Sequence, residues 1–459
     1  MQMKRWIAAA ALWAALHGAA ETVSVGAFGA RGDGHTLDTA AIQRAIDAAA
    51  LHAGSTVIFP AGTYLTGSIF VKSSVTLRID KGVTLLGSQR LQDYPLMPTR
   101  VAGIEMTWPA ALVNVYEQTH AAITGEGTID GDGKIWWDGY WALRKIDDAK
   151  GLRWAADYDT QRPRLIQIFN SSDVKLQGLN LRRSGFWTVH ICYSHDVLVD
   201  GITIRNNEGG HGPSTDGVDI DSSRKILVQH ADIAVNDDAL CLKAGRDSDG
   251  LRVNRPTEDV VLRDSIVREG AAGVTFGSET SGGFRNIEAY NLKTLAAVPV
   301  GILFKSAHTR GGFAENIRIH DITMSGTPVV LRITMNWNPS YSYAKIPDGI
   351  TQYPAYYKTL ATPVPEAQGI AHVHDVHIWN ITAAGAKTAF EVDAYPSAPL
   401  ERFHFDHLNI QVEHAGYIAD AKDWTFADVS LKIADGSTVK LTDSVNVTGL
   451  PQPSPEKKP

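Results

Sequence analysis

From Arg164 onward one phrase keeps returning: an apolar strand, a polar corner of Asn, Ser or Asp, a second apolar strand, then a loop. It is written as RLIQIFNSSDVKLQGLNL, TVHICYSHDVLVDGITI and GVDIDSSRKILVQHADI, and it continues through ALCLKAG, GVTFGSETSGGFRNIEAYNL and GILFKSAHTRGGFAENIRIHDI. The strand starts Gly217, Ala239, Gly273 and Gly301 are spaced by 22, 34 and 28 residues. A unit of that size cannot bury an apolar face alone, whereas stacked copies share one continuous core. An antiparallel sandwich would place hairpin turns between strands every 8 to 12 residues or so. Here the corners are Asx-type, so each strand's natural partner is its counterpart one repeat on, about 4.8 Å away. The chain reads as all-β, a right-handed parallel β-helix.

A solenoid has open ends that must be covered. DTAAIQRAIDAAAL, Asp38 to Leu51, is the one amphipathic helix the pattern predicts. Asp38 stands at the N-cap, Ala41, Ile42, Ala45, Ile46 and Ala49 form the apolar stripe, and Gly54 follows. It is assigned as the N-terminal cap, and FADVSLKIADGSTVKLTDSVNVTGL as terminal strands. Length alone would suggest two or three domains, but the repeats point to one, over residues 21–450. MQMKRWIAAAALWAALHGAA has a basic start and a short apolar run, the pattern of a signal peptide over residues 1–20, so a secreted or periplasmic protein is expected. Residues 451–459, PQPSPEKKP, read as a disordered tail.

Composition excludes several classes. The formal net charge is −7, and −9 once Lys4 and Arg5 are removed, which argues against nucleic-acid or anionic-membrane partners. No later stretch is apolar enough to span a membrane. Cys192 and Cys241 fall two coil spacings apart, roughly 9.6 Å, too far for a disulfide. No metal-ligand spacing such as CxxC or HExxH occurs. No cofactor or metal is expected, and the protein is expected to be a monomer.

NDDALCLKAG, Asn236 to Gly245, sets two carboxylates side by side in an apolar strand. Adjacent ionised aspartates beside buried leucines repel and are poorly solvated, so they are either a solvated corner or a reactive acid pair. The register favours the second. If Gly217 stacks on Ala239, Asp216 lies beneath Asp238 with its Cα about 5 Å away. Asp237 would face the other way in a regular strand, but the corner before it can turn it back. Asp219 and Asp221 lie nearby, and Lys305 recurs two coils on at the offset of Lys243.

STDGVDIDSS followed by NDDALCLKAG resembles the paired motifs of glycoside hydrolase family 28, the polygalacturonases and their relatives. FGARGDGHTLDTAAIQRAIDAA, GTIDGDGKIWWD, SGFWTVHICYSHDV, GSETSGG and GILFKSAHTRGG extend the likeness in the family's order over residues 22 to 330. The resemblance implies inverting hydrolysis of α-galacturonosyl linkages in pectic poly- or oligosaccharides. Asp237 would be the general acid, with Asp216 and Asp238 holding and deprotonating the water. Like-charge crowding would keep one acid protonated. Two positions depart from the pattern. Ala272 stands where the family has a histidine, and Leu303-Phe304-Lys305 replaces its Arg-x-Lys. Lys305 is left to meet a uronate carboxylate, with Lys243 beside it, and Arg255 and Arg310 are candidates for the missing arginine.

Trp187 and His190 lie one coil before Asp216, where an adjacent sugar would sit; otherwise they are a packed core pair. Glu279 reads as a structural or rim residue. Two aromatic loops, around Trp136 to Tyr158 and Trp337 to Tyr357, read as lids closing one end of a groove, which predicts exo-cleavage. A calcium-dependent pectate lyase and a non-catalytic polysaccharide-binding β-helix are the alternatives.

Overall fold

A computed structural model describes residues 19–451; residues 1–18 and 452–459, with nearly all of the expected signal peptide and tail, lie outside the described ones. Thirty-one strands join one continuous parallel sheet that coils on itself, because each strand pairs with its counterpart in the coils before and after. One column of inward side chains runs Val113, Ile166, Val189, Val218, Leu240, Val274, Ile302 and Leu331. All are buried, so the core is a stack of aliphatic layers of like shape. This is the expected right-handed parallel β-helix, in the expected register: Gly217, Ala239, Gly273 and Gly301 fall in one column.

The corners explain why the repeat is so rich in Asx residues. Asp173, Asp196, Lys225, Asp259, Asn286 and Asn316 stack at successive corners, and each has a positive φ, between 49° and 56°. Asn and Asp tolerate that left-handed backbone best among residues with a side chain. Their side chains also bond along the stack, Asn316 donating to Asn286 (2.7 Å) and Asn286 to Asp259 (2.9 Å).

The first helix, α1 (Thr39–Ala49), covers the N-terminal coil, and Ala41, Ile42, Ala45, Ile46 and Ala49 are its buried face as expected. Asp38 is not a side-chain cap, however. Its carboxylate instead accepts the backbone N–H groups of Arg31 (2.8 Å) and Gly32 (3.0 Å), fastening the preceding loop. The first aromatic loop holds a second helix, α2 (Lys134–Ala149), where none was expected. Its buried residues are Trp137, Tyr140 and Asp147, and the aspartate within the buried stripe breaks the apolar period. A two-stranded antiparallel hairpin, Leu96–Val101 with Ile104–Pro109, is likewise absent from the repeat; it forms a sheet of its own that packs against the coil, where Arg100 bonds Asp221. No helix among the described residues is long and apolar enough to cross a membrane.

Cys192 and Cys241 are both free and buried, two coils apart. Thiol titration of the denatured, unreduced protein should therefore count two. A count of zero would break the register from which the site below is built.

Candidate active site

Register brings the acids together. Val218 pairs with Leu240, and the amide of Gly217 donates to the carbonyl of Asp238 (2.9 Å), so Asp216 lies one coil from Asp238 at the mouth of adjacent strands. Asp216, Asp237 and Asp238 line one cavity, together with Lys243, Glu279 and Lys305. The Lys243 ammonium reaches Asp216 (3.5 Å), Asp219 (3.6 Å) and Glu279 (3.4 Å), and the Lys305 ammonium reaches Asp238 (2.7 Å). An indole covers each lysine: Trp187 lies 5.1 Å from Lys243 and Trp337 lies 4.5 Å from Lys305.

Five carboxyl groups thus face two ammonium groups, and full ionisation would leave uncompensated charge in a poorly solvated place. Burial, then the Asp238 charge, pushes the Asp237 carboxyl up to about 6, against the pull of Lys305 and Lys243. Burial likewise drives Asp216 well above the usual carboxylate range, helped by Asp219 and Asp237. Asp219 is raised too, mainly by burial, and neither of its oxygens has a hydrogen-bond partner. Glu279 goes the other way. Burial raises it, but Lys243, Arg310, Lys305 and Arg246 outweigh that and hold it at about 2.

The walls come from outside the repeat. The hairpin contributes Ala102, the first insertion Arg153 and Asp157, and the second Trp337 and Tyr341. These parts share a second apolar core in which Ala102, Trp108, Trp154, Tyr158, Trp187 and Tyr357 are buried together. Asp159 of the first insertion accepts the hydroxyls of Tyr356 and Tyr357 of the second, both at 2.6 Å.

A parallel β-helix with acids stacked on adjacent coils has known relatives. The family model described as glycosyl hydrolases family 28 matches residues 52–370. The chain belongs to that family. It is 28% identical to a probable polygalacturonase of Vitis vinifera, over 95% of this chain and 82% of that one. It is 25% identical to the exo-poly-alpha-D-galacturonosidase of Dickeya chrysanthemi, covering 91% of this chain and 75% of the relative. Among solved structures, the exopolygalacturonase of Thermotoga maritima superposes with a TM-score of 0.71 at 25% identity, covering 93% of this chain and 91% of that one. The chain is a glycosidase of family 28.

Within the family frame, the sequence-based site residues divide. Asp216, Asp237, Asp238, Lys243, Lys305 and Trp187 line the cavity. His190 does not. It is fully buried beneath Trp187, ring centres 4.8 Å apart, and its Nε2 faces Asp221 at 3.4 Å. Burial, then Arg164, lowers the imidazole to about 4, so it is neutral packing. Arg310 is also fully buried and is bonded to Asp247 and to the carbonyl of Ser278. Arg255 lies over the Tyr193 ring and donates to the Tyr193 carbonyl (2.9 Å), outside the cavity. Neither arginine replaces the missing one. Ala272 and Leu303 instead meet Val300 and Val329 in one small buried apolar cluster.

The charge partners of Glu279 and of Arg100 gave no local sign in the sequence. Glu279 carries Lys243 on one oxygen and accepts the Tyr341 hydroxyl (3.3 Å) on the other. The GSET segment gave a signal, but its charge partner lies one coil away. Arg100, on the hairpin, is fully buried and bonds Asp221 (2.9 Å) and Ser222 (2.6 Å). Burial pushes Asp221 up, but Arg100 and His190 overcome it and hold the carboxyl at about 2. Removing one partner of such a pair strands the other charge in the interior. Arg100→Met should cost about 3–5 kcal/mol in urea unfolding. A loss below about 1 kcal/mol would mean that Asp221 is satisfied elsewhere.

Proposed function

We propose that this family 28 glycosidase hydrolyses α-galacturonosyl linkages in pectic poly- or oligosaccharides with inversion, removing sugars from the non-reducing end outside the cytoplasm. The observation that carries the reading is the placement of Asp216, Asp237 and Asp238 in one cavity that both insertions wall. The exo-acting relatives from Dickeya chrysanthemi and Thermotoga maritima support the mode of attack. An apolar run with a basic start at the N-terminus supports export.

In this reading Asp237 gives its proton to the glycosidic oxygen as the C–O bond breaks. A water held by Asp216 and Asp238 attacks the anomeric carbon from the opposite face and gives its proton to that pair. Lys305 at 2.7 Å keeps a counter-charge on Asp238, and Lys243 at 3.5 Å does the same for Asp216. Once ionised, Asp216 is a strong acceptor for the water's proton, because burial raises its proton affinity. Exchange with solvent resets both sites. Trp187 and Trp337 give the sugar ring apolar faces to lie on.

The calcium-dependent lyase fits the donor set poorly. Asp216, Asp238 and Cys241 bring ligand atoms within 4.8 Å of one another, but Lys305 already takes an oxygen of Asp238 and Lys243 faces Asp216. A thiol is also a poor partner for a hard oxygen-seeking cation.

Asp237→Asn should keep the fold and lower kcat about 10²–10⁴-fold, since it removes the proton donor. More than a tenth of wild-type activity would sink the assignment. The pH profile gives a second test. The donor must be protonated and its carboxyl stands at about 6, so the rate should fall about tenfold per unit above that pH, and it should fall again toward acid as the Asp216–Asp238 pair takes up protons. Viscosity of polymeric galacturonan should fall slowly while small products accumulate from the first time points. A rapid drop with a ladder of oligomers would overturn the exo reading.

A further inference from the structure

We infer that the groove between the two insertions is a second binding site for sugar carboxylates, outside the catalytic cavity. This rests on the proposed action on galacturonides. The groove is lined by Arg144 and Arg153 from the first insertion and by Tyr343 and Lys345 from the second. Asp148 is the one acid among its described lining residues. The chain carries a net charge of −7, so a polyanionic ligand is repelled overall and is guided by local clusters of cations.

Three features point to a ligand. First, the cations inside the cavity are already committed: Lys243 serves Asp216, Asp219 and Glu279, and Lys305 serves Asp238. The groove holds what the cavity lacks. Lys345 is exposed and has no ion-pair or hydrogen-bond partner among the described residues. Second, Arg153 lines both the cavity and the groove, so the two spaces meet at one guanidinium. That guanidinium is held over the Tyr341 ring (5.0 Å) and beside Asp157 (3.3 Å), and its buried Nε has no partner. Third, the groove exists only because the insertions are tied to each other by Asp159 and by the contact of Trp154 with Tyr357, ring centres 4.7 Å apart. Arg144 and Lys345 come from the two different insertions that wall the groove, and cations so placed suit carboxylates repeated along a uronide chain. Arg144 is drawn toward Asp148 at 3.3 Å across an exposed pair, a weak tie that a sugar carboxylate can replace.

Two sources share this chemistry: the substrate chain leaving the cavity and a free uronic acid released by the reaction. Both are tested by titrating galacturonate and a long oligogalacturonide into Asp237→Asn protein, alone and combined with Lys345→Glu, Arg144→Ala or both. Lys175→Glu on the far outer face is the control for net charge. Each single change should weaken the long oligomer about threefold and the pair about tenfold, with the loss fading at high salt. A loss confined to the long oligomer identifies the substrate chain, and an equal loss for galacturonate identifies the free acid. Unchanged affinity for both ligands, or an equal effect of Lys175→Glu, would overturn the groove. Failure of wild-type enzyme to cleave any galacturonide would overturn the proposed function instead, so the two failures are distinct.

Discussion

Everything at this site depends on the register of one parallel ladder. A slip of one residue would turn each side chain of a strand to the opposite face, so the aliphatic core column fixes the outer columns too. With Val218 over Leu240, Gly217 must lie over Ala239 and Asp216 over Asp238. The same ladder carries Leu242 to Phe276 and on to Phe304, which places Lys243 and Lys305 two coils apart on one face. Burial of apolar layers is what stabilises the coil. The placement of the stacked acids follows from the same ladder, as a by-product of side chains packing in register.

Stacking acids has a consequence that the rest of the chain must answer. Carboxyls one coil apart cannot all be ionised in poorly solvated surroundings. Lys243 and Lys305 compensate part of the charge, and the remainder is met by retained protons, as at Asp237. On the strand that follows Asp216, one coil before Asp237, Asp221 is neutralised differently, by a guanidinium delivered from the hairpin. The contrast is one of proton affinity. Asp221, held at about 2, is a fixed charge, whereas Asp237, at about 6, can exchange a proton under ordinary conditions. Two aspartates of one repeat array thus hold their protons differently, because a guanidinium pairs directly with Asp221 while burial and the Asp238 charge dominate at Asp237.

The repeat made the coil, the cap helix and the acid triplet legible, because each is written in neighbouring residues or at the repeat's own period. What lies outside that period was not legible. Arg100 meets Asp221 across 121 residues, and nothing near either one announces the other. Arg310 and Arg255 looked suitable by type and offset, yet each is taken up by structural partners, Asp247 and Tyr193, whose positions no spacing rule gives. His190 sat at a plausible offset, but Trp187 covers it. The helix α2 was hidden because Asp147 stands in its buried stripe. Wall residues such as Asp157 and Tyr341 come from insertions, whose meeting depends on tertiary packing alone.

The insertions are also what separates this molecule from a bare coil with an open face. An isolated loop of that length would be mobile and would leave the acids in water. Here the two are bonded to each other through Asp159, to the coil through Glu279 and Tyr341, and to the hairpin through Tyr158, whose hydroxyl donates to the Ala102 carbonyl at 2.8 Å. Arg246 closes the circuit, donating to the carbonyl of Tyr341 (2.7 Å) and to the Tyr158 hydroxyl (3.1 Å) from the coil itself. The Glu279 contact reaches further than packing, because that carboxylate also holds Lys243, and Lys243 holds Asp216. A shift of the second insertion would therefore move Tyr341, alter the charge available to Lys243, and change the proton affinity of an acid in the cavity. Wall and chemistry are one electrostatic unit, and a wall residue can act on the reaction without touching a sugar.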